Sequence, residues 1–186
     1  GDHNVALGYN ALDANTTGSK NTGLGTSALG GNTTADYNTA VGYNSLVANT
    51  TGTTNTAVGA LALDANTTGS SNTGIGYGAL SAATTAAYNT AVGEYAGVST
   101  TTGAANTVVG RAALYANTTA SYNTAVGSSA LNANTTGAEN TSLGYNSLAA
   151  NTTASFNTAL GSVALDANTT GASNTAVGAG SLSTST

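Results

Sequence analysis

The chain has 186 residues, of which only 5% are charged, and its formal net charge at pH 7 is −5. Its two basic residues, Lys20 and Arg111, cannot neutralise a phosphate backbone, so we expect no nucleic-acid partner. No apolar run approaches the roughly 18 residues of a membrane span, and the absence of cysteine excludes disulfides and thiolate metal sites.

A 17-residue unit repeats along the chain without insertions. We number its positions 1 to 17 and its copies coil 1 to coil 11, which begin at Asn4, Asn21, Asn38, Asn55, Asn72, Asn89, Asn106, Asn123, Asn140, Asn157 and Asn174. The last copy is truncated at its position 13. Neither end carries the polar cap that closes a solenoid, so we expect residues 1–186 to be a single array that continues in both directions in the native protein.

The order of residues within one unit predicts one coil of a parallel β-solenoid, or β-roll. Positions 1 to 4 predict a first strand, which ends at an invariant glycine at position 5. Positions 8 to 11 predict a second strand, and the Asn-Thr-Thr-Gly segment at positions 12 to 15 predicts a corner. A helix is excluded because a 17-residue step would rotate each unit by about 260° and leave no apolar stripe.

Two apolar columns are candidates for the core. Position 4 is always Val, Leu or Ile, and position 9 is Leu in ten of the eleven units. We therefore expect pairs such as Val58 with Leu63, and Val126 with Leu131, to be the most buried side chains. Side chains at positions 1 and 3 share one face of the strand, and those at positions 2 and 4 share the other. The stacked asparagines at position 1 can hydrogen-bond along the axis as an amide ladder.

Two large apolar side chains per coil make a thin core for a free-standing column. Three parallel chains in register can share a core on a threefold axis, and small residues at positions 3, 8 and 11 would let their backbones approach. We therefore expect a homotrimer rather than a monomeric solenoid.

The units "NTAVGYNSL", "NTSLGYNSL" and "NTALGSVAL" resemble the head repeats of trimeric autotransporter adhesins. They are even more similar to repeat regions of bacteriophage and bacterial tail-fibre proteins. This resemblance covers essentially the whole chain. It implies parallel β-structure, a homotrimeric fibre and an extracellular or virion location. The expected function is a structural shaft or head segment that acts as a stiff spacer for adhesion or host attachment.

The sequence offers little for catalysis or metal binding. His3 is the single imidazole, and a Ser or Thr nucleophile needs a base within reach. Asp13, Asp64 and Asp166 share position 10 but do not belong to adjacent coils, so they do not predict a calcium ladder. We expect no enzyme activity, no cofactor and no metal site.

Two repeated Thr-containing patterns have alternative functional interpretations. The Asn-Thr-Thr segment is an N-glycosylation sequon in eight units, for which we favour a structural corner over a glycan. The asparagines concerned are Asn15, Asn32, Asn49, Asn66, Asn117, Asn134, Asn151 and Asn168. Stacked Thr columns also suggest ice binding, but successive residues at positions 13 and 14 would face opposite ways.

Aromatic residues at variable positions are the candidates for surface contact, such as binding of cell-surface glycans. Tyr43 and Tyr95 lie at positions 6 and 7, which we expect to face solvent together with Asn44, Val47, Glu94 and Arg111. Four units have Ala at position 15, and in all of them position 17 is aromatic: Tyr37, Tyr88, Tyr122 and Phe156. We favour a packing interpretation, in which ring and methyl fill a corner. The alternative is an exposed aromatic stripe that stacks on sugars.

Overall fold

A computed structural model describes residues 1–183 and contains eleven three-residue strands, one in each coil. They are β1 (Val5–Leu7), β2 (Thr22–Leu24), β3 (Thr39–Val41), β4 (Thr56–Val58), β5 (Thr73–Ile75), β6 (Thr90–Val92), β7 (Thr107–Val109), β8 (Thr124–Val126), β9 (Thr141–Leu143), β10 (Thr158–Leu160) and β11 (Thr175–Val177). Each strand occupies positions 2 to 4 of its coil.

The strands form one parallel sheet in chain order from β1 to β11. Each strand pairs with the same three positions of the next coil, as when Thr39 lies opposite Thr56 and Val41 opposite Val58. At about 4.8 Å per coil, the stack is roughly 50 Å long. The protein is therefore an all-β parallel solenoid, as predicted.

The glycine at position 5 ends every strand for a steric reason. Its φ lies between +121° and +138° in all eleven coils, where a side chain is strained. At Gly59, a Cβ atom would lie 2.6 Å from the carbonyl oxygen of Gly76 in the next coil. The coils can stack closely because this column has no side chains.

The predicted second strand at positions 8 to 11 is wrong, because positions 6 to 11 form turns. Positions 7 and 9 are in the left-handed region, and Leu131, for example, has a φ of 51°. The turns are nevertheless bonded along the axis. The amide of Leu29 donates to the carbonyl of Ser45 over 3.0 Å, and the amide of Gly31 donates to that of Val47 over 2.8 Å. The turns therefore stack from coil to coil through axial hydrogen bonds, as the strands do, although their backbone is not extended.

The leucine column at position 9 forms the centre of the core, as predicted. The leucines of coils 2 to 5 and 7 to 10 are no more than 1% exposed: Leu29, Leu46, Leu63, Leu80, Leu114, Leu131, Leu148 and Leu165. Small residues at positions 3 and 8, such as Ala57 and Ala62, pack around them and are also fully buried. The core of one chain is therefore narrow but closed.

The prediction that position 4 is buried is wrong. The strand turns positions 1 and 3 inward, so position 4 faces outward together with the threonines of position 2. Val58 and Val126 are only partly buried. Seven members of the column are 37–67% exposed: Leu7, Leu24, Ile75, Val109, Leu143, Leu160 and Val177.

Two buried asparagine columns explain this orientation. The side-chain amides of Asn38, at position 1, and Asn49, at position 12, both donate to the carbonyl of Gly52, over 2.8 and 2.9 Å. The Asn38 Oδ1 atom accepts from the backbone amide of Asn55 in the next coil, and Asn49 also donates to Asn32 Oδ1. The position 1 asparagines do bond along the axis as expected, mainly through the backbone amide of the next coil, whereas the more regular side-chain ladder runs along position 12. These bonds hold position 1, and with it position 3, inside the coil.

Candidate functional site

The aromatic and charged side chains that could contact a ligand lie in the outward-facing columns. Tyr43 at position 6 is exposed, and so are Glu94 and Arg111 at the same position of coils 6 and 7. The expectation that Asn44 and Val47 face solvent is only partly met, because both side chains are partly buried. These columns lie outside the closed core, so their residues can differ from coil to coil without disturbing it.

The rings at position 17 lie on the surface of the chain. Tyr37, Tyr88, Tyr122 and Phe156 are 54–70% exposed, whereas the alanines at position 15 of the same coils are buried. The packing interpretation, in which ring and methyl fill one corner, is therefore wrong for the ring. Tyr37 alone meets a cation, because Lys20 Nζ donates to its hydroxyl over 2.8 Å and lies 4.7 Å from its ring centroid. This hydrogen bond raises the pKa of Lys20 above its usual value.

Tyr95 belongs to a group of three rings that spans coils 5 to 7. Its ring centroid lies 5.3 Å from that of Tyr77 at an interplanar angle of 89°, and 6.4 Å from that of Tyr115 at 72°. Both are edge-to-face arrangements, which aromatic pairs favour. We call Tyr77, Tyr95 and Tyr115 the tyrosine cluster. Sequence reasoning missed Tyr77 and Tyr115, because their nearness depends on how positions 6, 7 and 10 fold together in successive coils.

Gly78 makes room for the central ring of this cluster. A Cβ atom at Gly78 would lie 3.1 Å from Cδ1 and 3.2 Å from Cε1 of Tyr95. Position 7 is glycine in only one other coil, at Gly180. The glycine and the ring stacked over it are therefore a matched pair in successive coils. This pairing was the sequence signal that could have identified the cluster.

A charged pair borders the tyrosine cluster. Arg111 Nε lies 3.8 Å from Glu94 Oε2, and the two side chains are 67% and 52% exposed. This is the one ion pair in the described part of the chain. Desolvation raises the pKa of Tyr95, with further contributions from the neighbouring Tyr77 hydroxyl and the Glu94 charge. The carboxylate therefore lies close enough to affect the central ring.

A second candidate surface is the outer face of the sheet. It consists of two parallel columns, position 2, which is threonine in every coil except for Val5 in coil 1, and the aliphatic residues of position 4, and it has no charged residue. We call it the strand face. Single exposed apolar side chains are common on protein surfaces, but a continuous apolar column along a whole molecule indicates a contact surface.

The asparagines of the Asn-Thr-Thr sequons are buried and stabilise the corners of their coils. Seven of the eight, all except Asn15, are no more than 2% exposed, and their amides donate within the corner. A glycan on a buried amide nitrogen would require the corner to open. The structure therefore supports the structural interpretation of the Asn-Thr-Thr segment.

The threonine columns at positions 13 and 14 differ. At position 13 the hydroxyl donates to the carbonyl of the next threonine in the column, as from Thr50 to Thr67 over 3.0 Å. At position 14 the threonines, such as Thr51 and Thr68, are exposed. The hydroxyls of position 13 are therefore engaged in axial hydrogen bonds within the stack.

The remaining titratable groups are spread along residues 1–183 rather than gathered at one place. Residues 1–183 contain no group of three or more His, Asp or Glu side chains that could hold a metal ion. Asp64 is partly buried, its Oδ1 atom has no hydrogen-bond partner, and desolvation raises its pKa. His3 and Asp13 are exposed at the start of the array, far along the chain from the tyrosine cluster.

Comparisons with known proteins give no family assignment. Within residues 1–183, no helix is long and apolar enough to cross a membrane. The chain matches no protein-family model, no curated protein sequence and no solved structure.

Proposed function

We propose that this chain is a shaft or head segment of an extracellular or virion fibre, in which three copies lie parallel and in register. Its role is mechanical: it holds a binding tip away from the surface that carries the fibre. The observation that carries this proposal is the strand face. Its position 4 column places eleven aliphatic side chains along the whole stack, and neither of its columns is charged.

Axial hydrogen bonding supports the mechanical part of the proposal. Strands, turns and corners are all bonded to the next coil, as by the amides of Thr39, Leu46 and Thr50. The two asparagine columns add side-chain bonds in the same direction. Bending such a stack would stretch many hydrogen bonds at once, so the stack is expected to be stiff.

The strand face supports the trimeric part. A shared core is not what a trimer would supply, because each chain closes its own core around position 9. The apolar residues left for sharing are those of position 4. Because these side chains are already partly buried, covering the exposed part of each would contribute about 1 kcal/mol, and the contribution repeats with every coil. Identical repeats favour identical partners in register, and three strand faces can meet on one axis.

Sedimentation equilibrium of the purified chain tests this proposal. The expected mass is three times that of one chain, and V58E with V126E should give monomers because charges would enter the interface. Thr68 lies in the exposed column at position 14, so T68E is the matched control and should remain trimeric. A wild-type monomer at high micromolar concentration would refute the trimer.

Ice binding is the second candidate, and the strand face favours it over positions 13 and 14. Threonine at position 2 and an aliphatic residue at position 4 point to the same side and form two regular columns. Such a face is useful for ordering water only if no second chain covers it. Thermal hysteresis measured on a monomeric wild-type chain would favour this function over the fibre.

A further inference from the structure

The variable positions of coils 5 to 7 carry an unusual concentration of aromatic and charged side chains. Position 6 is Tyr77, Glu94 and Arg111 in these three successive coils. The adjacent positions 7 and 10 contribute Tyr95 and Tyr115. Three of the chain's ten aromatic rings and its one described ion pair thus lie together on a surface that is otherwise nearly uncharged.

Contacts within the patch fix the position of its central ring, Tyr95. Gly78 lies under the Tyr95 ring, and Tyr77 and Tyr115 flank that ring in edge-to-face contact. The three rings are still 36–45% exposed, so they offer apolar surface to a ligand. A ring that is already held in place loses little side-chain entropy on binding, which favours recognition by tyrosine.

The charges beside the rings supply both kinds of hydrogen-bonding group. The Glu94 carboxylate only accepts, whereas the Arg111 guanidinium only donates. Both are more than half exposed and lie within 4 Å of each other. A ligand with neighbouring hydroxyl groups can donate to one and accept from the other. The pair has no net charge, so it does not favour an ionic ligand.

We propose that the tyrosine cluster, with Glu94 and Arg111, is a binding site for a neutral pyranose saccharide. The C–H face of a sugar ring packs on the exposed tyrosines, and its hydroxyls bond to the carboxylate and the guanidinium. The patch spans three coils, about 10 Å along the axis, which suits one or two hexose rings. Its five residues are far fewer than the roughly 20–30 residues per partner of a stable protein interface.

This inference goes beyond the fibre function, because the patch is formed by one chain and does not include the strand face. Its test therefore has a different readout from the mass measurement. A chain that is monomeric could still bind saccharide, and a trimer could fail to bind it.

Nuclear magnetic resonance titration of the purified chain tests the site. The probes are methyl β-glucoside, lactose, mannobiose and chitobiose, with sialyllactose as the acidic comparison. We expect saturable shifts of the Tyr77, Tyr95 and Tyr115 ring protons with at least one neutral probe, at millimolar concentration. Y95S should weaken binding at least tenfold. Tyr43 is an exposed tyrosine at position 6 outside the cluster, so Y43S is the matched control and should bind as the wild type does.

Further variants separate the roles of the rings and the charges. G78A adds the methyl group that crowds the Tyr95 ring, and it should weaken binding severalfold. E94Q and R111Q should each lower the affinity for the neutral probe severalfold. Circular dichroism checks that every variant keeps the wild-type fold. Variants that fail this check are replaced by Y115S, whose ring lies at the edge of the cluster.

The proposal is overturned by any of three results. One is the absence of saturable shifts with all four neutral probes at concentrations up to about 50 mM, at which even a very weak site would be partly occupied. Another is equal loss of binding in Y43S and Y95S. The third is binding of sialyllactose alone, lost in R111Q but kept in E94Q, which would assign the patch to acidic ligands.

Discussion

Coils 2 to 4 and coils 5 to 6 have the same backbone but differ in how well their buried side chains repeat. In the first region, the asparagines of position 12 bond to one another from coil to coil, as Asn66 does to Asn49 over 2.9 Å. In the second, Ala83 and Thr100 take the place of asparagine. The Asn66 Oδ1 atom is consequently buried without a hydrogen-bond partner.

The leucine column is interrupted in the same region. Gly97 takes the place of leucine in coil 6, and a Cβ atom added there would already lie 3.1 Å from Leu80 Cδ2. Two rings of the tyrosine cluster, Tyr77 and Tyr95, lie on the surface of these same coils, and Tyr115 lies on the next coil. The comparison teaches that an uninterrupted column of buried side chains bonds along the axis, whereas an interruption leaves a buried polar atom without a partner.

The largest expected effect comes from removing a core leucine in a regular coil. L131A should lower the free energy of unfolding by about 2–5 kcal/mol, because it leaves a cavity in a fully packed column. Chemical denaturation followed by circular dichroism measures this. A change below about 1 kcal/mol would mean that the leucine column does not hold the coils together.

Restoring the asparagine ladder should remove part of the difference between the regions. A83N should raise the free energy of unfolding by about 1 kcal/mol, since the new amide can donate to the orphaned Asn66 Oδ1 atom. The control is N49A, which breaks the ladder in a regular coil and should be destabilising by about 1–3 kcal/mol. If A83N destabilises the chain, coil 5 has no room for the asparagine that other coils accommodate.

Relieving backbone strain should have a similar or smaller effect. Val163 is a β-branched residue at position 7 with a φ of 51°, where a left-handed conformation costs about 1–2 kcal/mol. Asparagine tolerates that region and occupies position 7 in three other coils. V163N should therefore stabilise the chain by up to about 1 kcal/mol. An unchanged or lower denaturation midpoint would show that the valine methyls contribute packing that offsets the strain.

The smallest effect is the pH dependence contributed by Asp64. Desolvation raises the pKa of this carboxyl in the folded chain, so ionisation opposes folding. Its contribution is most favourable below the unfolded pKa of about 3.9 and is lost as pH rises through the higher folded pKa. D64N should be slightly more stable than the wild type at pH 7, by about 0.5 kcal/mol or less.

The advantage of D64N should shrink as pH falls toward 3, where the aspartate is protonated in both states. Melting curves of the two proteins between pH 3 and pH 7 measure this. Asn132 already occupies position 10 of coil 8, where its amide donates to the carbonyl of Ala112. A D64N advantage that stays constant across this range would show that the carboxyl charge is not its cause.

The sequence by itself determined the architecture of this protein. A strict period of 17 dictates identical coils, β-branched residues before an invariant glycine locate each strand, and the leucine column was one of the two apolar columns expected in the core. These features follow from covalent geometry and local preference, which act in the same way in every coil. The in-register parallel sheet then follows because each strand meets its own copy.

Only the tertiary structure decided which side of the strand faces inward and what the turns bring together. Alternation groups position 4 with position 2 but does not say which face is buried, and hydrophobicity alone pointed to the wrong one. The choice depends on the asparagine amides, which need the carbonyl of position 15 across the coil, 14 residues away in sequence. The left-handed turns likewise depend on axial bonds to the next coil, and they bring Tyr77, Tyr95 and Tyr115 into contact. Such partners lie in different units or far apart in one unit, so no pattern within a short segment of one unit could reveal them.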